Sequence, residues 1–175
     1  MPIKITVVGS GPSGCYLTQS LCKVLPESEL TVIDRLPVPF GLVRYGGAPD
    51  REGTKAVRYG VAPDHQGTKA VTKQFSRLFE RDGVAFVGNV AIGGTPGGDL
   101  TVEDLGKMFD VVVLATGLDI DRSLGAAFDA VETVYGAGRV TRLWNGHPDE
   151  AGFEPQLGQS VLVVGNGNVA MDIVR

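Results

Sequence analysis

Residues Ile3 to Asp34 read IKITVVGSGPSGCYLTQSLCKVLPESELTVID. Ile3–Val8 is a short β-branched run cut off by Gly9, the pattern of a buried strand. Gly9–Gly14 is a glycine turn. Ser13–Val24 has helical composition, and Pro26 closes that helix. Leu30–Asp34 returns to strand composition. Strand, turn, helix and strand make one βαβ unit, which needs two parallel strands joined by a right-handed crossover. The fold class is therefore α/β, with a Rossmann-like parallel sheet.

GSGPSG (Gly9–Gly14) fits GxGxxG. The match alone is weak, but this one follows a strand and opens a helix, and an acid, Asp34, ends the next strand. That is the full context of a dinucleotide fingerprint. Gly9 allows the tight turn, Gly11 lets the backbone approach a pyrophosphate, and Gly14 permits close helix–sheet packing. Free N–H groups and the helix dipole at Ser13 favour negative charge. The Asp34 carboxylate can accept hydrogen bonds from ribose hydroxyls. A second turn, GNGNVA (Gly165–Ala170), fits GxGxxA and follows Ser160–Val164 (SVLVV), which reads as a strand. Met171–Arg175 reads as the first turns of a helix. Two such turns suggest two dinucleotides, commonly a flavin and a nicotinamide with hydride passing between them.

Between the turns, Pro37–Gly41 (PVPFG) is a rigid loop. A 14-residue phrase then stands twice in tandem, Arg44–Val57 and Arg58–Val71, differing at Gly47/Val61, Arg51/His65 and Glu52/Gln66. From about Asp64 a helix runs to about Arg81, with Val71, Phe75, Leu78 and Phe79 on one apolar stripe. Val84–Val87 is a short strand and Gly93–Gly98 a turn-rich loop. Phe109–Ala115 is a strongly hydrophobic central strand running into Thr116-Gly117. A buried strand ending in Ala-Thr-Gly brings backbone close to a bound cofactor, so Gly117 joins the first site. Residues 118–159, rich in Gly, Asp and Pro, read as connection more than core. The βαβ unit opened at Ser160 is not closed, and a helix begun at the last residues buries little. The chain thus reads as part of something longer. Residues 1–117 are the flavin-side domain, and 118–175 a connector with the truncated start of a second Rossmann-like domain.

The chain has 175 residues and a net charge of -4, which argues against a nucleic-acid binder. Cys15 and Cys22 lie seven apart on one helix face and read as reduced core thiols of a cytoplasmic protein. No CxxC or Cys/His cluster has metal spacing. No signal peptide is evident, and the longest apolar runs are strand-length, short of a membrane span.

Several stretches are more specific. PVPFGLVRYGVAPDHQGTKAVTKQF, with the first copy of the phrase removed, resembles the adrenodoxin reductase type of ferredoxin–NADP reductase. So do FVGNV (Phe86–Val90), VLATG, YGAGRVTRLWNGHPD (Tyr135–Asp149) and VVGNGNVAMDIVR. The resemblance runs in order along nearly the whole chain. It implies an FAD domain built from two chain segments, with an NADP domain inserted between them. It implies that Gly9, Ser13, Asp34, Leu42 and Val90 contact FAD. Asn166, Gly167, Asn168 and Val169 would approach the NADP pyrophosphate, with Arg122 a further NADP contact. NADPH would give a hydride to the flavin, which would pass electrons singly to an iron–sulfur protein.

His65, after the natural N-cap Asp64, is the one candidate for a catalytic role; otherwise it is a polar first-turn residue. His147, in NGHPD, reads as a turn residue. Lys69, Lys73, Arg77 and Arg81 recur every four residues and form a basic stripe on an acidic protein. An acidic ferredoxin could dock there by electrostatic steering, or the stripe is simply a solvated face. Two other functions stay open. One is a non-catalytic dinucleotide-binding fragment. The other is a pyridine-nucleotide disulfide reductase, which needs a redox cysteine pair where this chain has FGLVRYG. Of the doubled phrase, the second copy keeps His65 and runs unbroken into the helix, so it is expected beside the flavin. The first copy is expected to be extruded as a turn with a short helix over Asp50–Val57.

Overall fold

The structure is a computed structural model. It describes residues 1–41, 43, 66–94, 97–118 and 120–174, and the side chains of all of these but 66–70 and 72. Both copies of the phrase up to His65, together with Leu42 and Asp64, lie outside the described residues.

Four parallel strands form one sheet: β1 (Lys4–Val8), β2 (Glu29–Ile33), β3 (Val84–Val87) and β4 (Val111–Leu114), in the order β3-β2-β1-β4. Lys4 pairs with Glu29 and Val8 with Ile33. On the other side Ile5 pairs with Val111 and Val8 with Leu114, while Leu30 pairs with Val84. The expected βαβ unit is present, its helix spanning Pro12–Val24. The proline at the helix start costs nothing there, because a first-turn N–H has no intrahelical acceptor.

Val7 and Val32 are fully buried at the centre of the sheet, with Ile5, Val8, Leu30 and Ile33 around them. Cys15, Thr18 and Cys22 of the first helix are buried as well, each by the face that helical spacing predicts. Thr18 satisfies its buried hydroxyl by donating to the Gly14 carbonyl at 2.8 Å. Helix Gln66–Leu78 inserts Phe75 and Leu78 into the core. Phe75 meets Tyr16 edge-on at 4.9 Å, Phe40 lies 6.2 Å from Phe75, and Phe79 packs on Phe86 at 5.4 Å. Helix Val102–Met108, unforeseen in the sequence, opens on a capping box between Thr101 and Asp104 and buries Leu105 under Val8 and Ile33.

Three elements differ from expectation. Among the described residues, β4 is an edge strand rather than a central one: it pairs with β1 alone, and Val111 and Leu114 are exposed. The helix ends at Leu78 and not near Arg81. Phe79 and Arg81 instead donate to Ser76 and Leu78, bonds of the tighter 3₁₀ kind, before Gly83 turns the chain at φ +79°. Ser160–Val164 carries no strand pairing, and Val161, Leu162 and Val164 are exposed. Apolar β-branched composition gives strand propensity, but a strand exists only through partners, and the described residues supply none here.

The chain divides into two compact units. One contains Met1–Gly41 with Gly67–Leu118, and the other contains residues 119–175. In the second unit the stretch read as connection holds real structure. Helix Ala137–Trp144 is followed by a 3₁₀ turn, Pro148–Glu150. Asp121 caps the helix from 17 residues upstream, accepting from the Gly138 and Arg139 N–H groups at 2.8 and 3.0 Å. Glu150 is buried and accepts from Arg139 at 2.9 Å and from Arg142 at 3.0 Å. The Arg139 guanidinium also lies 3.6 Å above the Phe153 ring. Buried Thr141, Asn145 and His147 complete this polar core. His147 is the expected turn residue, capping the 3₁₀ turn by accepting from the Asp149 N–H at 3.2 Å.

Candidate dinucleotide-binding site

All four strands point their C-terminal ends to one edge. From it emerge the Gly9–Gly14 turn, Asp34, the Gly88–Val90 turn and the Ala115–Gly117 segment. The chain moves from β1 outward to β2 on one side and returns to β4 on the other. The space between β1 and β4 is therefore the topological switch point, where open α/β sheets bind ligands.

Each glycine of the first turn has a distinct physical reason. Gly9 stands at φ +105°, and a Cβ there would lie 2.3 Å from the Ala115 carbonyl oxygen. A Cβ on Gly14 would lie 1.9 Å from the Gly9 carbonyl oxygen. These two glycines let turn, helix and β4 exit close on one another. Gly11 differs: a Cβ there would meet nothing within 4 Å. Its open side faces away from the packed backbone, as a surface for ligand approach must. Gly11 is the N-cap of a 13-residue helix, and no side chain caps this end. The first-turn amides of Ser13 and Gly14 thus lack intrahelical acceptors, and the helix dipole adds partial positive charge.

Asp34 is tied down by three donors. Its Oδ2 accepts from the Ser10 N–H at 2.7 Å and from the Ser10 hydroxyl at 2.5 Å, and its Oδ1 accepts from the Leu36 N–H at 2.9 Å. The Ser10 carbonyl accepts from the Phe40 N–H at 3.0 Å and from the Cys15 thiol at 3.2 Å. Burial first, and the Asp34 charge second, push the Cys15 thiol up to about 12, so it stays protonated at neutral pH. Both cysteines are buried and free. The PVPFG loop lies against the turn: Phe40 adopts φ +94°, and a Cβ on Gly41 would lie 3.0 Å from the Gly11 Cα.

Of the residues expected at the first site, Gly9, Gly11, Ser13, Gly14, Asp34, Val90 and Gly117 gather on this edge. Val90 donates its N–H to the Asp34 carbonyl at 3.1 Å, after a tight turn in which Asn89 takes φ +60°. Gly117 is exposed at φ +75°. Leu42 and His65 fall outside the described residues. Ser10, Phe40 and Gly41 were missed by sequence reasoning. Ser10 occupies the unspecified position of GxG, where only its hydroxyl hints at a use.

The second glycine turn lies in the second unit. Gly165 stands at φ +129°, Gly167 has open space where a Cβ would be, and helix Asn168–Val174 starts directly after. Asn166, Gly167, Asn168 and Val169 are exposed, as is Arg122, beside the helix-capping Asp121. Of the basic stripe, Lys73 and Arg77 are exposed on helix Gln66–Leu78. Lys69 sits in the same helix with its side chain outside the described residues, and Arg81 is exposed beyond the helix end. No helix among the described residues is long and apolar enough to cross a membrane.

No protein-family model matches the chain. Cindoxin reductase of Citrobacter braakii is 49% identical over 171 residues, which cover 98% of this chain and 34% of that protein. The mitochondrial NADPH:adrenodoxin oxidoreductase of Arabidopsis thaliana is 38% identical over 176 residues, covering 99% and 33%. The human protein of that name is 35% identical over 173 residues, covering 98% and 31%. The chain thus spans about a third of the length of these relatives. In structure it is similar to FprA of Mycobacterium tuberculosis, an oxidoreductase solved in complex with NADPH. The TM-score is 0.85 at 31% identity, over 100% of this chain and 36% of that one.

Proposed function

Because the chain belongs to the adrenodoxin reductase type of ferredoxin–NADP reductase, we propose that the protein passes electrons from NADPH through FAD to a ferredoxin-type iron–sulfur protein. The observation that carries this reading is the cradle at the β1/β4 switch point. Gly9 and Gly14 are closed against backbone, Gly11 is open, and the first helix points unpaired amides outward. These residues fit a dinucleotide pyrophosphate.

In this reading Gly9, Gly11, Ser13 and Gly14 receive the FAD pyrophosphate. Asp34 accepts from the adenosine ribose. Val90 and Gly117 border the cofactor; the family resemblance adds Leu42 as a further FAD contact and His65 as the catalytic candidate, both outside the described residues. Bound there, the flavin supplies the step from two-electron hydride to single electrons. Asn166, Gly167, Asn168, Val169 and Arg122 receive NADP. Residues 1–117 are the FAD-side segment, and 118–175 lead into the NADP-binding domain. Lys69, Lys73, Arg77 and Arg81 offer the ferredoxin an electropositive face. The two free, buried thiols suit a reducing compartment, and we place the protein in the cytoplasm. The disulfide-reductase reading is disfavoured because FGLVRYG, where its redox pair would stand, holds no cysteine.

The test is a visible spectrum of the purified full-length protein. Flavin bands that bleach on adding NADPH, and recover on adding an oxidised ferredoxin, are the expected result. A colourless protein that takes up no FAD would leave only the non-catalytic reading. For the docking face, changing Lys73 and Arg77 to Glu should weaken ferredoxin binding and flatten its salt dependence. Unchanged affinity and salt slope would return the stripe to a solvated surface.

A further inference from the structure

Ser10 is fully buried and uses every polar atom it has. Its N–H and hydroxyl both reach Asp34 Oδ2, while its carbonyl takes the Phe40 N–H and the Cys15 thiol. One residue therefore joins the glycine turn, the first helix, the end of β2 and the PVPFG loop. A carboxylate has about four acceptor directions. Ser10 takes two on Oδ2 and Leu36 takes one on Oδ1, so about one remains, on Oδ1. Asp34 is only partly buried, and among the described residues these bonds are what fix the oxygen it offers outward.

We infer that Ser10 is a positioning residue: its buried hydroxyl pins one oxygen of Asp34, so that the other is presented as a single, fixed acceptor for one ribose hydroxyl of the bound dinucleotide. This rests on the dinucleotide reading of the first glycine turn. The pinned carboxylate makes one directed hydrogen bond rather than a forked one across both hydroxyls. Without the Ser10 hydroxyl the backbone N–H still holds Asp34, so the carboxylate is loosened and not released. Part of the binding free energy is then spent on ordering it.

The experiment is a double-mutant cycle on FAD affinity, measured by flavin fluorescence on the full-length, flavin-depleted protein. Ser10→Ala should raise the FAD dissociation constant about fivefold to tenfold, the scale of a hydrogen bond to a charged group. In an Asp34→Ala background the same change should shift it less than about twofold, because nothing remains to be positioned. Ser10→Cys fills the lost volume with a poor donor and should behave as Ser10→Ala does. Equal losses in both backgrounds, or full affinity in Ser10→Cys, would mean that Ser10 only packs, and would overturn the proposal. Unchanged affinity in Ser10→Ala would overturn it too. A wild-type protein that binds no FAD would instead remove the dinucleotide reading itself, and this inference with it.

Discussion

Gly14→Ala sets two forces against each other. In a helix interior, alanine is favoured over glycine by about 1 kcal/mol. At this position the added Cβ would stand 1.9 Å from the Gly9 carbonyl oxygen and 3.5 Å from Val7 Cγ1. The obstacle is backbone, so relief requires the first helix or the turn to move by more than an ångström. The turn cannot move freely. The Gly9 N–H is bonded to the Ile33 carbonyl at 2.7 Å, and Gly9 itself is held against Ala115. Overpacking of this kind costs about 1–3 kcal/mol, and rigid surroundings put it near the top of that range. The net expectation is a loss of about 1–2 kcal/mol in urea unfolding, after the helix-propensity gain is subtracted. FAD affinity should fall further, by about tenfold or more, because the displaced atoms include the amides proposed to receive the pyrophosphate. Gly106→Ala is the control. It lies in helix Val102–Met108 with open space around its Cβ position, and should stabilise by about 0.5–1 kcal/mol. If Gly14→Ala also stabilised the protein and left FAD binding intact, the close helix–turn approach would not be what demands glycine there.

Further outcomes follow from the same structure. Glu150→Gln removes the buried carboxylate shared by Arg139 and Arg142. With Arg139 half exposed, the loss should be about 2–3 kcal/mol, read as early unfolding of the second unit in denaturant. The Cys15 thiol is pushed up from 9.0 to about 12 in the fold, so the unfolded chain ionises first as pH rises. Its contribution is complete below pH 9 and drains away between about 9 and 12. Cys15→Ala should flatten the fall in stability across that window, and a slope unchanged from wild type would refute the assignment. For the same reason, Ellman's reagent at pH 8 should label the native protein slowly and the urea-unfolded protein at once. Thr101→Ala breaks the capping box and should cost about 1 kcal/mol, seen as faster amide exchange in helix Val102–Met108.

The first thirty-odd residues were legible because two independent signals agree there. Periodicity marks the strands and helix, and the glycines fall where backbone must approach backbone. Gly9 and Gly14 are explained by contacts that any βαβ unit of this kind makes, so sequence context sufficed. Ser10 was not legible, since a serine between two glycines looks like an ordinary turn residue, and its value comes from Asp34, 24 positions away. The polar core of the second unit escaped for a related reason. Thr141, Asn145, His147 and Glu150 have exposed-type chemistry, and burial becomes tolerable only once the folded turn pairs them: Thr141 with the Gly138 carbonyl, Asn145 with the Thr141 carbonyl, His147 with the Asp149 N–H, and Glu150 with Arg139 and Arg142. Ser160–Val164 failed in the opposite sense. Its composition is that of a strand, but pairing is a property of neighbours, and composition does not show whether neighbours are present.

The position of β1 between β2 and β4 also sets an order in time. Its first neighbour is complete within a few dozen residues of synthesis, whereas its second requires the chain to extend to Leu114. Contacts of such long sequence separation form slowly. During elongation on the ribosome one edge of β1 therefore waits unpaired, and Val7 and Val8 wait with it. The doubled phrase falls within that interval, in the connection from β2 to β3. Lengthening this connection from about 36 to about 50 residues adds only about 0.3 kcal/mol of closure cost. The burden of the extra copy is thus a longer exposure of a sticky half-sheet before β4 arrives, a matter for chaperones and growth temperature more than for final stability.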